Sequence, residues 1–300
     1  MNTNNFSLIM PVSKKDVNTA VKNLDYVRKY IKPSKIVIIS DASVLSVNKE
    51  LFNDLDVDFL DENKIIPDLT YKHVNKYLST FHAEERTGWY YQQFLKMAYS
   101  FISPTEYYVS WDADTIPLKH VDFFDSDNKP VFSLKNEFNE AYFDTINSLF
   151  GINKNVEGSF ICEHMIFNTS IMKEMIQRIS NCNLNKKWFD IIIDNISKDV
   201  LKSAGFSEFE TYGTYVYEYH RDLYSFKDII SLRTGRRIFG DEVNDEILIW
   251  LSEFYDTVSF EKWDVKCVNL NIHKSSTFRK LVKPNLYVNF YNLLYKFKDI

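Results

Sequence analysis

Hydrophobic positions along this chain fall into two periods. Phe6–Val12 is a mainly apolar run closed by Pro11 and Ser13, and it reads as a first buried strand. Ser13-Lys-Lys-Asp16 has the S-x-x-D spacing of a capping box. Val17, Ala20, Val21, Leu24 and Val27 then recur at helical spacing as far as Pro33. Ile36–Ser40, ending in Asp41, and Val57–Leu60, ending in Asp61, read as the second and third strands. Phe94, Leu95, Ala98, Phe101 and Ile102 form an apolar helical face, and Tyr107–Trp111 is a short buried strand that Pro117 keeps from extending. Met165–Asn168 predicts another strand, with a helix from about 170 to 181 behind it. Ile247, Leu248, Trp250, Leu251, Phe254 and Tyr255 predict a helix packed on the core, and Val265–Leu270 a late strand. Strand, helix, strand at this spacing predicts an α/β fold with a Rossmann-like, mostly parallel twisted sheet flanked by helices, and a helical C-terminal part.

Composition narrows the class. With 300 residues, 45% of them apolar, a large core is available, and 7 Gly and 7 Pro leave no obvious linker, so one domain over 1–300 is expected. The formal charge of −5 argues against a nucleic-acid partner. Cys162, Cys182 and Cys267 are far apart, with no C-x-x-C pair, which suits a reducing compartment better than a disulfide framework or zinc site. The first residues lack a basic stretch followed by an apolar one, and no apolar run is long enough for a bilayer. The expectation is a cytoplasmic protein.

The chemistry centres on Asp112 and Asp114, which follow the strand Tyr107–Trp111 at spacing i, i+2. Ligands of open α/β sheets bind at the carboxyl ends of strands. Two carboxylates so close repel unless a cation lies between them, and Mg²⁺ or Mn²⁺ would bring phosphate oxygens with it. No G-x-G-x-x-G follows the first strand and there is no P-loop, so a diphosphate would be held by metal and side chains. Asp41 and Asp61 end strands where an acid either accepts hydrogen bonds from a ribose or base or caps a helix. Gln92, Gln93 and Lys96 lie within one helical turn behind Arg86, so an amide and an ammonium can point the same way. His164, at the start of a strand, suits either a pyrophosphate or metal contact or a satisfied core position.

Ser207-Glu208-Phe-Glu210 admits two readings. S-x-x-E is a capping box, which would occupy Glu210 and leave Glu208 as a general base; without the cap, Glu210 would face an acceptor across Gly213. The helical period turns the two acids about 200° apart, so they cannot share one pocket. Arg233-Thr-Gly-Arg236-Arg237 gathers cations suited to clamping a diphosphate.

Gly88-Trp89-Tyr-x-Gln92-Gln93-Phe94-Leu-Lys96, followed by Tyr107-Tyr-x-x-Trp-Asp112-x-Asp114-Thr115, resembles a bacterial family of GT-A-type glycosyltransferases that build capsule, O-antigen and similar surface glycans. Ser159–Phe167, Gly205–Gly213 and Arg233–Arg236 fit it as well; where the family often has His, this chain has Glu163. The resemblance implies a nucleoside-diphosphate sugar donor, a glycan or lipid-linked glycan acceptor, and Mn²⁺ or Mg²⁺ on Asp112 and Asp114 with His273 as a late ligand. It implies a donor-binding set of Pro11, Val12, Asp41, Arg86, Gln92, Gln93, Lys96, Asp112, His164, Arg233 and Arg236, and catalysis by Glu208 or Glu210. Residues 1–125 would be the nucleotide-sugar half, 126–270 the acceptor half and 271–300 an amphipathic tail. Alternatives of another class are a sugar nucleotidyltransferase and a non-catalytic glycan-binding protein.

From Phe278 to Ile300 the only acid is Asp299, against Arg279, Lys280, Lys283, Lys296 and Lys298. Tyr287, Phe290, Tyr291 and Leu294 share one helical face. That face either docks on the core or rests on the inner surface of the cytoplasmic membrane.

Overall fold

The computed structural model describes residues 5–48, 56–240, 243–262, 264 and 270–298. They form two interleaved compact units, the first from Met1–Val17, Pro33–Asp112 and Phe123–Lys227, the second from Asn18–Lys32, Ala113–Asp122 and Asp228–Ile300.

The first unit holds a mixed α/β sheet of order β3-β2-β1-β4, with a further strand beyond β4. Its strands are β1 (Phe6–Pro11), β2 (Lys35–Ser40), β3 (Asp58–Asp61) and β4 (Tyr107–Trp111). These four pair in parallel, with Ile9 opposite both Val37 and Ser110. The sheet is the mostly parallel one expected, and all six residues of β1 are buried, which is why it reads as a continuous apolar run.

The second unit receives β5 (Thr115–Pro117), immediately after Asp112. Back in the first unit, β6 (Val131–Phe132) precedes β7 (His164–Asn168), the edge strand, antiparallel to β4 with Trp111 opposite His164. Later, β8 (Ser225–Phe226) pairs with β6. In the second unit β9 (Ser231–Leu232) and β10 (Thr257–Ser259) complete a small sheet of order β5-β10-β9.

Of the helices, α1 (Val17–Tyr30) lies almost wholly in the second unit. The first unit contains α2 (Ala42–Val47), α3 (Tyr71–Ser79), α4 (Thr87–Ala98), α5 (Glu140–Phe150), α6 (Thr169–Asn181), α7 (Trp188–Asn195) and α8 (Glu208–Tyr219). The second adds α9 (Gly235–Phe239), α10 (Asp245–Ser252), α11 (Ser276–Leu281) and α12 (Pro284–Lys298).

Three expectations change, and a fourth falls outside the described residues. The Ser13–Asp16 box closes on itself: the Asp16 amide donates to the Ser13 carbonyl and the Ser13 hydroxyl to the Asp16 carboxylate. The apolar face of α4 ends at Ala98, because the chain tightens into a 3₁₀ turn over Tyr99–Phe101, and Phe101 and Ile102 are each 43% exposed. The late strand at 265–270 lies, apart from Leu270, outside the described residues. The face expected of α12 is divided. Tyr287, Val288 and Tyr291 are buried in the second unit's core with Trp250, Leu251 and Phe239, while Phe290 is 49% exposed. Hydroxyl bonds fix that docking, from Tyr287 to the Leu270 carbonyl and from Tyr291 to the Arg237 carbonyl. The helical period puts Leu286, Phe290 and Leu293, all exposed, on the opposite side of α12.

Candidate functional site

Parallel pairing brings the carboxyl ends of β1 to β4 to one edge of the first unit's sheet. There a cavity of about 350 Å³ opens, lined by Pro11 and Val12 from β1, Ser40, Asp41 and Ser43 after β2, Glu62 after β3, Tyr71 from α3, and Gly88, Tyr91, Gln92 and Leu95 from α4. Ser13, Lys14 and Asp16 close one side. Four residues expected to bind a donor, Pro11, Val12, Asp41 and Gln92, thus share one wall-to-wall space. Asp41 is also the cap of α2: it accepts from the Ser43 amide at 2.8 Å and from the Ser43 hydroxyl, bonds that hold its carboxyl below the usual range.

One strand over, at the end of β4, is a buried ion cluster. Lys96, 4% exposed, places Nζ 3.0 Å from Asp112 Oδ1 and 2.9 Å from Glu208 Oε1. Its ammonium also lies 4.4 Å above the Phe209 ring. Burial works to lower the Lys96 pKa, but Asp112 and Glu208 outweigh it and hold the ammonium above its ordinary value. Gln93 acts on the same partner from the previous turn, its side-chain oxygen accepting from the Glu208 amide at 3.0 Å. Gln93 and Lys96 therefore meet, as their spacing implies, on the first residue of α8; Gln92 turns away into the cavity. Asp112 is the cluster's outward member, with its side chain 32% exposed, and its amide donates to the Glu163 carbonyl.

Glu208 and Glu210 diverge as the helical period requires. Ser207 caps α8 by accepting from the Glu210 amide, but the Glu210 carboxylate does not return to complete the box. It accepts instead from the Ser159 hydroxyl and the Phe160 amide, is fully buried, and is pushed above the usual carboxyl range by that burial. Gly213 leaves no room for an acceptor. A Cβ there would lie 2.2 Å from Cγ of Phe160, so the glycine serves close packing of α8 on that ring.

His164 is likewise a core residue. Its imidazole is 3% exposed, stacked on Trp111 at 4.9 Å and met edge-on by Phe123. Burial lowers its pKa to about 3, so it is neutral. Arg86, at the N-terminus of α4, stacks its guanidinium on Trp89 at 4.6 Å rather than lining the cavity.

The remaining expected residues belong to the second unit. Arg233 pairs with Glu261 at 3.1 Å, Arg237 with Asp264 at 2.6 Å, and Arg236 donates to the Lys262 carbonyl. Three cations close in sequence are thus engaged by separate partners within that unit. His273 is fully buried, bonded through Nδ1 to the Tyr287 hydroxyl at 2.9 Å and covered by the edge of Phe239, which removes the reason to expect it as a metal ligand. The Asp114 carbonyl accepts from the Phe260 amide. Among the described residues no three His, Cys, Asp or Glu side chains gather around one point. The Asp112 carboxylate, partly exposed, is the kind of oxygen donor that Mg²⁺ or Mn²⁺ take, since they bind one or two carboxylates and complete their shell from water and phosphate. Lys96 shows that Asp112 already faces a cation.

Sequence reasoning did not single out Glu62, Tyr71, Tyr91 or Ser43 for the cavity. The strand-end rule that marks Asp61 reaches Glu62 if carried one residue further.

Fold and site define an α/β protein with a cavity and a lysine-paired carboxylate at the carboxyl edge of a parallel sheet. The chain belongs to a family described as a family of unknown function, DUF6492, whose model matches residues 3–268. No curated protein matches it. Among solved structures it is similar to apo mouse xyloside xylosyltransferase 1, at 15% identity over 85% of this chain and 97% of that one, with a TM-score of 0.44. It is similar to apo GlyE, a glycosyltransferase of Streptococcus pneumoniae TIGR4, at 10% identity over 98% and 64%, with a TM-score of 0.43. It is also similar to the galactosyltransferase LgtC in complex with donor and acceptor sugar analogues, at 7% identity over 92% and 96%, with a TM-score of 0.47. These scores describe a likeness of outline only.

Proposed function

We propose that the protein is a metal-dependent glycosyltransferase that moves a sugar from a nucleoside diphosphate to a glycan or lipid-linked glycan acceptor in bacterial surface-polysaccharide synthesis. The observation that carries this reading is the shared sheet edge. A cavity sized for a nucleoside and a partly exposed, lysine-paired carboxylate suited to a divalent cation stand at neighbouring strand ends, as a nucleotide sugar requires. The motif resemblance over Gly88–Thr115 supports it independently.

Within this reading Pro11, Val12, Asp41 and Gln92 hold the nucleoside, and Asp112 with Asp114 hold Mn²⁺ or Mg²⁺, which would neutralise the departing diphosphate. Lys96 is a positioning residue. It is buried between two carboxylates and fixes the direction of Asp112. Glu208 is buried and held by that ammonium rather than open to an acceptor. Glu210 faces Ser159 inside the core. Neither carboxylate is open to an acceptor hydroxyl, so neither is proposed as the base.

Among the described residues no helix is long and apolar enough to cross a membrane. The outer stripe of Leu286, Phe290 and Leu293, with Lys283 and Lys296 exposed nearby, is proposed to rest on anionic lipid at the inner face of the cytoplasmic membrane.

A thermal-shift screen of nucleotide sugars with and without Mn²⁺ tests the reading. A ligand held by the native state raises its stability by about 2.7 kcal/mol at a hundred times Kd. The expected result is a shift for one nucleotide family that grows with Mn²⁺; no shift with any nucleotide sugar contradicts it.

A further inference from the structure

The polar groups of the cavity are unequally committed. Asp41 is taken by Ser43, and Asp61, just behind the wall, by the Asn63 amide and Lys64. The Tyr91 hydroxyl donates to the Glu62 backbone carbonyl. The Glu62 carboxyl itself, half-buried in the wall, has no hydrogen-bond or ion-pair partner among the described residues.

We propose that Glu62 reads the nucleobase of the donor, its neutral carboxyl pairing with a uracil edge and its carboxylate with a guanine edge. The inference rests on the nucleotide-sugar reading of this cavity and adds the residue that selects between bases. A neutral carboxyl sets an O–H donor beside a C=O acceptor, and uracil offers N3–H beside a carbonyl oxygen, so two hydrogen bonds form at once. A carboxylate offers two acceptors, which match N1–H and the 2-amino group of guanine. The wrong pairing leaves a buried donor or acceptor unsatisfied, a cost that separates ligands strongly.

The surroundings make both forms accessible. Burial, then the charges of Asp41 and Asp61, raise the Glu62 pKa to about 7. The groups around it are Asp41 after β2, Asp61 on its own turn, Tyr71 of α3 and Tyr91 of α4; Lys14 and Asp16 line the same cavity from the turn after β1. Among the described residues that line the cavity Lys14 is the one cation, and Lys64, beside the wall, is paired with Asp61. A neutral base entering the cavity removes more water from Glu62 and favours the neutral form further.

The test uses UDP-glucose and GDP-glucose, whose diphosphates are diesters and do not titrate near neutrality. Binding of each to the full chain is measured by calorimetry with Mn²⁺ from pH 5.5 to 8.5. For the wild type, UDP-glucose affinity is expected to be level below pH 7 and to fall about tenfold per unit well above it, while GDP-glucose affinity rises up to about pH 7 and levels off above. Glu62→Gln, an amide with one donor and one acceptor at every pH, is expected to bind UDP-glucose with a flat profile. Binding by the wild type that does not change with pH, or the same pH dependence in Glu62→Gln, overturns the role of Glu62 while leaving the nucleotide-sugar reading in place. No binding of either compound at any pH overturns both.

Discussion

Lys96 Nζ lies within 3.0 Å of Asp112 at the end of β4 and of Glu208 at the start of α8, so one buried ammonium joins a strand end to a helix N-terminus. Removing the charge leaves Glu208 ionised in the core without its partner. Lys96→Met is expected to cost about 3–5 kcal/mol. Lys96→Met/Glu208→Gln is expected to recover at least about 1 kcal/mol of that, because contacting residues are coupled. Urea unfolding of Lys96→Met, Glu208→Gln and the double variant measures it, and additive losses would show that the pair is not coupled.

That relationship also marks the limit of what the sequence discloses. β1, β2 and β4 are almost wholly buried and read directly as apolar runs, and the strand-end acids Asp41 and Asp112 follow from β2 and β4. Gln93 and Lys96 are legible as a pair, since one helical turn separates them. Their target is not, because Glu208 reaches them only through the tertiary packing of α8 on α4. His164 and His273 were attractive as polar residues near expected sites, but sequence does not reveal the rings of Trp111, Phe123 and Phe239 that enclose them. The small sheet of the second unit is built from strands of two or three residues, too short to carry a period.

Gly213 is a packing residue. Because a Cβ would overlap the Phe160 ring, Gly213→Ala is expected to lose about 1–3 kcal/mol despite the better helix propensity of Ala. Gly213→Ala/Phe160→Leu, which opens the contact, is expected to regain part of that loss. A stabilised Gly213→Ala would show that α8 is not tightly packed on this ring.

His164 makes stability depend on acid. Its folded pKa, about 3, lies below the unfolded value near 6.5, so between those values the unfolded chain binds a proton that the native chain does not. Stability contributed by the neutral ring is complete above pH 6.5 and falls by about 1.4 kcal/mol per unit as pH drops toward 3. His164→Phe, which keeps the stack on Trp111, is expected to remove that slope between pH 6.5 and 4.5. Parallel pH profiles for the two proteins would contradict it.

The outer stripe of α12 can be separated from its docked face. Leu286→Ser/Phe290→Ser/Leu293→Ser leaves Tyr287, Val288 and Tyr291 in place, so the fold should persist. Co-sedimentation with liposomes is expected to rise with anionic lipid, fall with salt, and be lost in the triple variant. Equal sedimentation of variant and wild type would remove the membrane assignment.

The central claim is that a nucleotide sugar is broken at the edge formed by β1 to β4 with help from a cation on Asp112. Release of nucleoside diphosphate from UDP-sugars and GDP-sugars, followed with Mn²⁺ or Mg²⁺ and with EDTA, tests it most directly. The account predicts release by the wild type with metal, none with EDTA, and none by Asp112→Asn, which keeps a hydrogen-bond acceptor for Lys96. Equal turnover with EDTA or by Asp112→Asn, or no release from any nucleotide sugar, would contradict it.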